Sequence, residues 1–363
     1  MRVCRRHQRC PQCGSLQTQR KGYTSADKQR WVCHGCGHSF SPVVRLKTAA
    51  AAKCYFEEQA SYRSTGHAIG LDGKHVWERI IDLGIGCRSP AEVSIELQPT
   101  WCGYLLVDSD TIFVGSHQEK LLLCGDVYSQ DIPHAALVQF EGAKEWGQFF
   151  ATLKDQVKYP IKGLVADGDP AIEAAWHKVF PAVPFQLCVL HYERNLKGFL
   201  KYRFTQKPGY WRETERFLAA VHWLLYADQL GTAIRYFNAI ANDPGFQQAG
   251  LVEPIANLKE RFPQLVTHHN FPGLPRTTNI IEGIISRLDT KITASKSYKH
   301  HNTAWATLKL LIMRYRFKPF EACQKKNKHK NGKSPLQLAG ADTSNINWVT
   351  FSQPQEPSYK AHF

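Results

Sequence analysis

Four cysteines, two aspartate pairs and one cysteine–histidine pair have types and spacing that could do chemistry. Cys10-Pro-Gln-Cys13-Gly and Cys33-His-Gly-Cys36-Gly are CxxCG knuckles separated by nineteen residues. A CxxC turn aims two thiolates at one ion, and two such turns complete the tetrahedral set that suits Zn²⁺. Gly14 and Gly37 can take the left-handed conformation that lets backbone pass close to the sulfurs. With Tyr23 and Gln29 to Val32 as short antiparallel strands, residues 1–45 read as a zinc ribbon. Its apolar core is so small that the metal supplies much of the folding energy. Cys4 and His7, beside Arg5 and Arg6, read as bystanders. His34 and His38 are not needed once four thiolates complete the set.

The aspartates suggest a second kind of metal chemistry. Asp108 follows the apolar run Gly103 to Val107, and Asp110 lies on the same face of that strand, two residues on. Asp167 ends the run Ile161 to Ala166, while Asp169 more simply caps a helix beginning at Pro170. Asp126 ends another apolar run and competes for the same edge. Carboxylates brought together at a sheet edge repel unless a cation sits between them. For a phosphodiester substrate the usual arrangement is two Mg²⁺ ions, one activating the attacking water or 3′-hydroxyl and the other stabilising the leaving oxygen. Cys188 and His191, three apart after a strand, could be half of a zinc site, but no second half is evident. As an acyl-transfer pair their spacing gives no oriented nucleophile.

These residues need a scaffold. Strands are expected at 103–114, 120–127, 133–138, 161–166 and 185–189, with helices at 143–156 and 170–179. Three strands, a helix, a strand, a helix and a strand is the order of a ribonuclease H-like core, in which the first and fourth strands are neighbours. Ahead of it, 47–59 and 62–83 read as a helix-turn-helix. Gly66 allows close helix packing, Gly70 a permissive turn, and Asp72 a cap for the helix that offers Lys74, His75 and Arg79 to DNA. Residues 86–99, with Ser89-Pro90, read as a linker or domain edge. After the core come helices near 191–203, 212–228, 230–242 and 251–261. Their aromatics Phe199, Tyr202, Trp211, Phe217, Trp223, Tyr226, Tyr236 and Phe237 are read mostly as helical core. The fold class is thus α+β and multidomain, with a mixed-sheet core. It divides as 1–45 zinc ribbon, 46–90 helix-turn-helix, 100–191 first part of the core, 192–275 helical insertion, 276–320 core completion and 321–363 basic tail.

Charge is segregated. The formal net charge of +15 comes from +9 in residues 1–50 and +11 in 276–333, leaving −5 elsewhere. Two basic ends around a mildly acidic centre point to a polyanion. Arg287, Lys291, Lys296 and Lys299 are placed for DNA phosphates, and Lys325 to Lys333 reads as a flexible basic stretch. With 43% hydrophobic residues and nine Trp, the chain is not a disordered one. No apolar run approaches the roughly 18 residues of a membrane span, and the basic start lacks an apolar segment. A reducing, cytoplasmic setting is expected.

Four further stretches resemble a known family. Leu164-Val-Ala-Asp167-Gly, Val179-Phe180-Pro181, Gln186-Leu-Cys188-Val-Leu-His191-Tyr-Glu-Arg194-Asn195-Leu196 and Thr277-Thr278-Asn279-Ile280-Ile281-Glu282-Gly283 are similar to bacterial Mutator-like insertion-sequence transposases. The likeness covers roughly 104–320, and the zinc ribbon and helix-turn-helix resemble the front end of a subgroup. The resemblance implies a DDE triad of Asp108, Asp167 and Glu282 holding two Mg²⁺ or Mn²⁺ ions. It also implies that Cys188 and His191 stand beside the site, and that a helical insertion precedes the last acid. The expected activity is phosphodiester hydrolysis and strand transfer at element ends, on double-stranded DNA, by a homodimer or larger assembly. The same features fit a nuclease or resolvase that does not join DNA, or an inert DNA-binding regulator.

Overall fold

The computed structural model describes residues 8, 10, 12–13, 15–23, 29–41, 47–58, 60–205, 211–295 and 297–353. Gly14, Lys296, Cys4 and His7 lie outside the described residues. The chain divides into two compact units, one of Met1–Pro99, Thr111–Leu121 and Arg287–Phe363, the other of Thr100–Asp110 and Leu122–Ser286.

The first unit opens with β1 (Thr18–Tyr23), β2 (Gln29–Cys33) and β3 (Ser39–Phe40), an antiparallel ribbon in that order. Trp31 is its buried side chain, covered by the Arg20 guanidinium 5.6 Å from the ring centroid. Three helices follow, α1 (Thr48–Glu57), α2 (Tyr62–Ile69) and α3 (Gly73–Ile85). A Cβ at Gly66 would run into the Leu71 carbonyl oxygen, which is why α2 and α3 can cross so closely there. Gly70 turns the chain at φ 68°, and Asp72 accepts the Lys74 N–H at 2.7 Å to start α3.

The stretch read as a linker contains a helix, α4 (Pro90–Leu97). Ser89 and Glu92 form a capping box, and Pro90 occupies the first helical turn, where its missing N–H costs nothing. Ser-Pro therefore starts a helix here instead of breaking one. The basic tail also differs from expectation. Lys325–Lys330 forms a 3₁₀ turn, and Trp348 Nε1 donates to Glu57 at 2.7 Å. Arg88 donates to the Phe351 and Gln353 carbonyls, so the segment up to 353 is tied to the helices.

A five-stranded sheet is formed by β4 (Tyr104–Val114), β5 (His117–Asp126), β6 (Ala135–Val138), β7 (Gly163–Ala166) and β8 (Phe185–Leu187). The order is β6-β5-β4-β7-β8, with β4 parallel to β7 and β7 parallel to β8. Third, second, first, fourth, fifth is the strand order of a ribonuclease H-like core. Between the strands, α5 (Ala143–Ala151, prolonged by a π turn to Val157) packs on α6 (Pro170–Val179). Trp146, Phe150, Trp176 and Phe180 form the aromatic seam that joins them.

Helices α7 (Val189–Thr205), α8 (Trp211–Leu225), α9 (Leu230–Ala241), α10 (Pro244–Gln248) and α11 (Val252–Leu265) then lead to α12 (Asn279–Ala294), and α13 (His301–Phe317) follows. The expected aromatic core of these helices is only partly realised. Phe217 is buried on Phe246, and Phe237 stacks on Phe262. Phe199, Tyr202, Trp211, Trp223 and Tyr236 are exposed. Much of the interior is made instead by aliphatic positions such as Val221, Leu224, Ala233, Ile240 and Leu258.

Candidate metal centres and acid cluster

The cysteine knuckles come together as their spacing predicts. One ligand atom from each of Cys10, Cys13, Cys33 and Cys36 lies within 4.8 Å of all the others. The Cys10–Cys36 and Cys13–Cys33 sulfurs are 3.5 Å apart. A tetrahedron of thiolates around zinc puts sulfurs roughly 3.8 Å apart, so the set fits the ion. Burial pushes the Cys10 thiol up to about 12, whereas hydrogen bonds from the Cys36 and Gly35 backbone and from Cys13 outweigh burial at Cys33 and bring it down to about 7, so the metal-free thiols ionise unequally. Zn²⁺ would reverse this by holding the sulfurs as thiolates. Among the described residues, this is the only group of three or more candidate ligands that closes so tightly.

The acid cluster belongs to the second unit. Asp108 lies on β4 and Asp167 directly follows β7, its parallel neighbour. The Ile281 and Ile284 side chains of α12 lie against Gly125 of β5, where a Cβ would come within 2.8 Å of Ile284 Cδ1. That close approach sets α12 on the sheet, with Glu282 between the two isoleucines and half-buried. Burial, with Asp167 and Glu282 repelling in the same direction, pushes the Asp108 carboxyl up to about 6, against the Ser109 N–H and His191. Asp167 is raised by burial, with Asp169 and Glu141 adding to it, against its bond from the Asp169 N–H and the charge of His191. Partly buried carboxylates whose charges act on Asp108 in this way suit a hard cation such as Mg²⁺ or Mn²⁺, which would relieve the repulsion.

Two of the competing aspartates have other tasks. Asp169 accepts the Ala171 N–H at 2.6 Å and caps α6. Asp126 is fully buried and accepts from the Cys102, Tyr128 and Ser129 N–H groups, the Ser129 hydroxyl and the Tyr159 hydroxyl.

His191 and Cys188 stand beside the acids. His191 Nε2 is 3.6 Å from Glu282 Oε1. Its bond with Cys188 raises its pKa most, aided by the charges of Cys188, Glu282 and Asp167 and opposed by burial. Burial pushes the Cys188 thiol up, but bonds from His191 and Thr278 outweigh it and hold the thiol below its usual range. Cys188 is fully buried, its N–H donating to the Ala166 carbonyl at 2.8 Å.

One residue near the acids, Glu141, escapes a reading of the sequence alone, and a second, Thr278, is read there only as part of the stretch that starts the last acid's helix. Glu141, just after β6, accepts from the Ser109 hydroxyl at 2.9 Å and from Trp146 Nε1 at 3.1 Å, and its charge reaches Asp167. Thr278 contacts Cys188, His191 and Glu282. The Phe140-Glu141-Gly142 turn and the residue before a helix were the available signals, and neither is specific.

The basic residues proposed for DNA have mixed surroundings. Lys74 and His75 are exposed, and Arg79 donates to the His75 carbonyl at 2.9 Å. Arg287 and Lys299 are exposed, lying over Phe320 and Trp77 at 4.9 and 5.8 Å. Lys291 is different. It is buried, donates to the Ala60 carbonyl at 2.6 Å and sits 3.7 Å over the Tyr55 ring, and burial lowers its pKa to about 8. Its ammonium is committed to the protein interior, which corrects its reading as a phosphate contact.

No curated protein matches the chain. Solved structures matching parts of it include a chain of the simian T-cell lymphotropic virus intasome in complex with PP2A regulatory subunit B56 gamma. That match has 13% identity, covers 50% of this chain and 70% of that one, and has a TM-score of 0.21. Another is the HTLV-2 integrase catalytic core domain in complex with magnesium, at 15% identity, 36% and 88% coverage and a TM-score of 0.20. Superpositions this loose carry no argument about function. The family described as "Transposase, Mutator family" matches residues 129–316, just over half of the 363 residues and a span holding Asp167, Cys188, His191 and Glu282. The chain belongs to the Mutator family of transposases.

Proposed function

We propose that this protein is an insertion-sequence DNA transposase that hydrolyses a phosphodiester at an element end and joins the freed 3′-hydroxyl to target DNA. Asp108, Asp167 and Glu282 would hold two Mg²⁺ or Mn²⁺ ions. The reading is supported by acids on β4, directly after β7 and on α12, with the charges of Asp167 and Glu282 both acting on Asp108 in the same direction as its burial.

When bound, such ions activate the attacking oxygen and neutralise charge on the leaving one. The protein's own groups do the rest. The raised pKa of His191 favours its protonated ring, which can present an N–H to a phosphate oxygen. The buried Cys188 anchors the start of α7 and hence the ring. Lys74, His75, Arg79, Arg287, Lys296 and Lys299 would engage DNA phosphates or the groove, and the zinc ribbon would serve DNA or protein docking. Because one phosphodiester replaces another, no energy cofactor is needed. Pairing two element ends calls for a dimer or larger assembly. A cytoplasmic, nucleoid-associated site of action would follow from this reading; no helix among the described residues is long and apolar enough to cross a membrane.

A joining assay tests the reading. Labelled end DNA incubated with Mg²⁺ and a target plasmid should yield covalent end–target products. Cleavage without joining would make the protein a nuclease, and neither would make it a DNA-binding regulator.

A further inference from the structure

We propose that Thr278 is a positioning residue for the acid cluster, its hydroxyl holding the His191 ring so that Nε2 rather than the carbon Cε1 faces Glu282. The proposal rests on the reading of Asp108, Asp167 and Glu282 as the reacting site.

Thr278 is 1% exposed and directly precedes α12. Its Oγ1 lies 3.2 Å from His191 Nδ1, 3.3 Å from Cys188 Sγ and 3.5 Å from Glu282 Oε1. Its own N–H donates to the same sulfur at 3.4 Å. The other ring nitrogen of His191 is the one 3.6 Å from Glu282 Oε1. Nδ1 thus has the Thr278 hydroxyl and Nε2 the acid, while the ring's bond with Cys188 is shared with that same hydroxyl, which also contacts the Cys188 sulfur.

An imidazole on a partly buried helix can flip about its second side-chain torsion, exchanging nitrogen for carbon at both ends. What fixes the orientation is the bond made by the nitrogen that faces away from the site. Among the described residues, Thr278 supplies that bond from the α12 side. The backbone frames it, because the Val189 N–H donates to the Arg276 carbonyl at 3.0 Å, tying the chain ahead of α12 to the start of α7. A hydroxyl has one proton and two lone pairs, so it can serve the ring and a second neighbour together. Without it, His191 Nδ1 would lose a partner at a depth where water is scarce, and the flipped ring would compete.

Two substitutions separate this role from packing. Thr278→Val keeps the branched shape and the N–H but removes the hydroxyl. Thr278→Ser keeps the hydroxyl and removes the methyl. A positioning role predicts that Thr278→Val lowers single-turnover cleavage of end DNA about 10–100-fold with DNA affinity unchanged. Thr278→Ser should stay within roughly threefold of wild type. A packing role predicts the reverse order, with Thr278→Ser the weaker and less stable protein.

The second measurement needs no catalysis. With ¹⁵N-histidine labelling, the His191 ring resonances, assigned through His191→Gln, should move in Thr278→Val and return in Thr278→Ser. Unmoved ring resonances in Thr278→Val, or equal losses in both variants, would overturn the proposal. Should wild type itself neither cut nor join DNA, the reading of the site fails, and the ring resonances still decide the role of Thr278.

Discussion

Replacing Asp108 by Asn should stabilise the protein when no Mg²⁺ or Mn²⁺ is present. Burial and the neighbouring acids raise Asp108 from 3.8 to about 6. A difference of about two pK units corresponds to about 3 kcal/mol between the protonated and ionised forms. Because the folded state binds this proton more tightly than the unfolded state, the stability it contributes is fully present below pH 3.8. It is lost as pH rises through about 6. Asn imitates the protonated acid at every pH. At pH 7.5, zinc-loaded Asp108→Asn should therefore melt above wild type, by up to roughly 6–12 °C for a cooperative unit of 150–250 residues. At pH 4 the two proteins should melt together. Adding Mg²⁺ should raise wild type at pH 7.5 and leave the variant nearly unchanged. Differential scanning fluorimetry across pH 4–8 reads all of this. A variant less stable than wild type at pH 7.5, or a difference independent of pH, would refute the reasoning.

Three further outcomes are expected. Cys33→Ser should release the zinc measured by atomic absorption and expose residues 10–41 to limited proteolysis, since one lost thiolate opens the set. Gly66→Ala should cost about 1–3 kcal/mol, because its new methyl meets the Leu71 carbonyl, and should weaken DNA binding in a gel-shift assay more than Lys74→Ala. His134, buried on Phe149, is held neutral by burial with a pKa near 4, so its contribution to stability is lost as pH falls from 6.5 through 4. Thermal melts of His134→Leu should be flatter than wild type across that window.

What could be read from the chain alone follows the distance over which each feature is encoded. The zinc knuckles are local, since four residues set each thiolate pair and a glycine follows each. The core strands were legible from apolar runs such as Leu105 to Val107 and Leu164 to Ala166, and the Asp169–Pro170 cap from two adjacent residues. The helix at Pro90 was obscured because Ser-Pro is compatible with both a break and a capped start. Lys291 could not be placed, because its partners Ala60 and Tyr55 are more than two hundred residues away. Thr278 illustrates the same limit: its contacts with Cys188 and His191 span about ninety residues, and its type says nothing about them. The exposed aromatics of α7 to α9 depend on which helix face meets a neighbour, which a short periodic pattern leaves open.

The central claim is that Asp108, Asp167 and Glu282 form one cation-dependent reacting site. Single-turnover cleavage of labelled end DNA in Mn²⁺, compared across Asp108→Asn, Asp110→Asn, Asp167→Asn and Glu282→Gln at saturating protein, tests it most directly. The account predicts that Asp108→Asn, Asp167→Asn and Glu282→Gln each abolish cleavage while still binding the DNA, and that Asp110→Asn continues to cut. Full cleavage by any of the first three, or its loss only in Asp110→Asn, would contradict it.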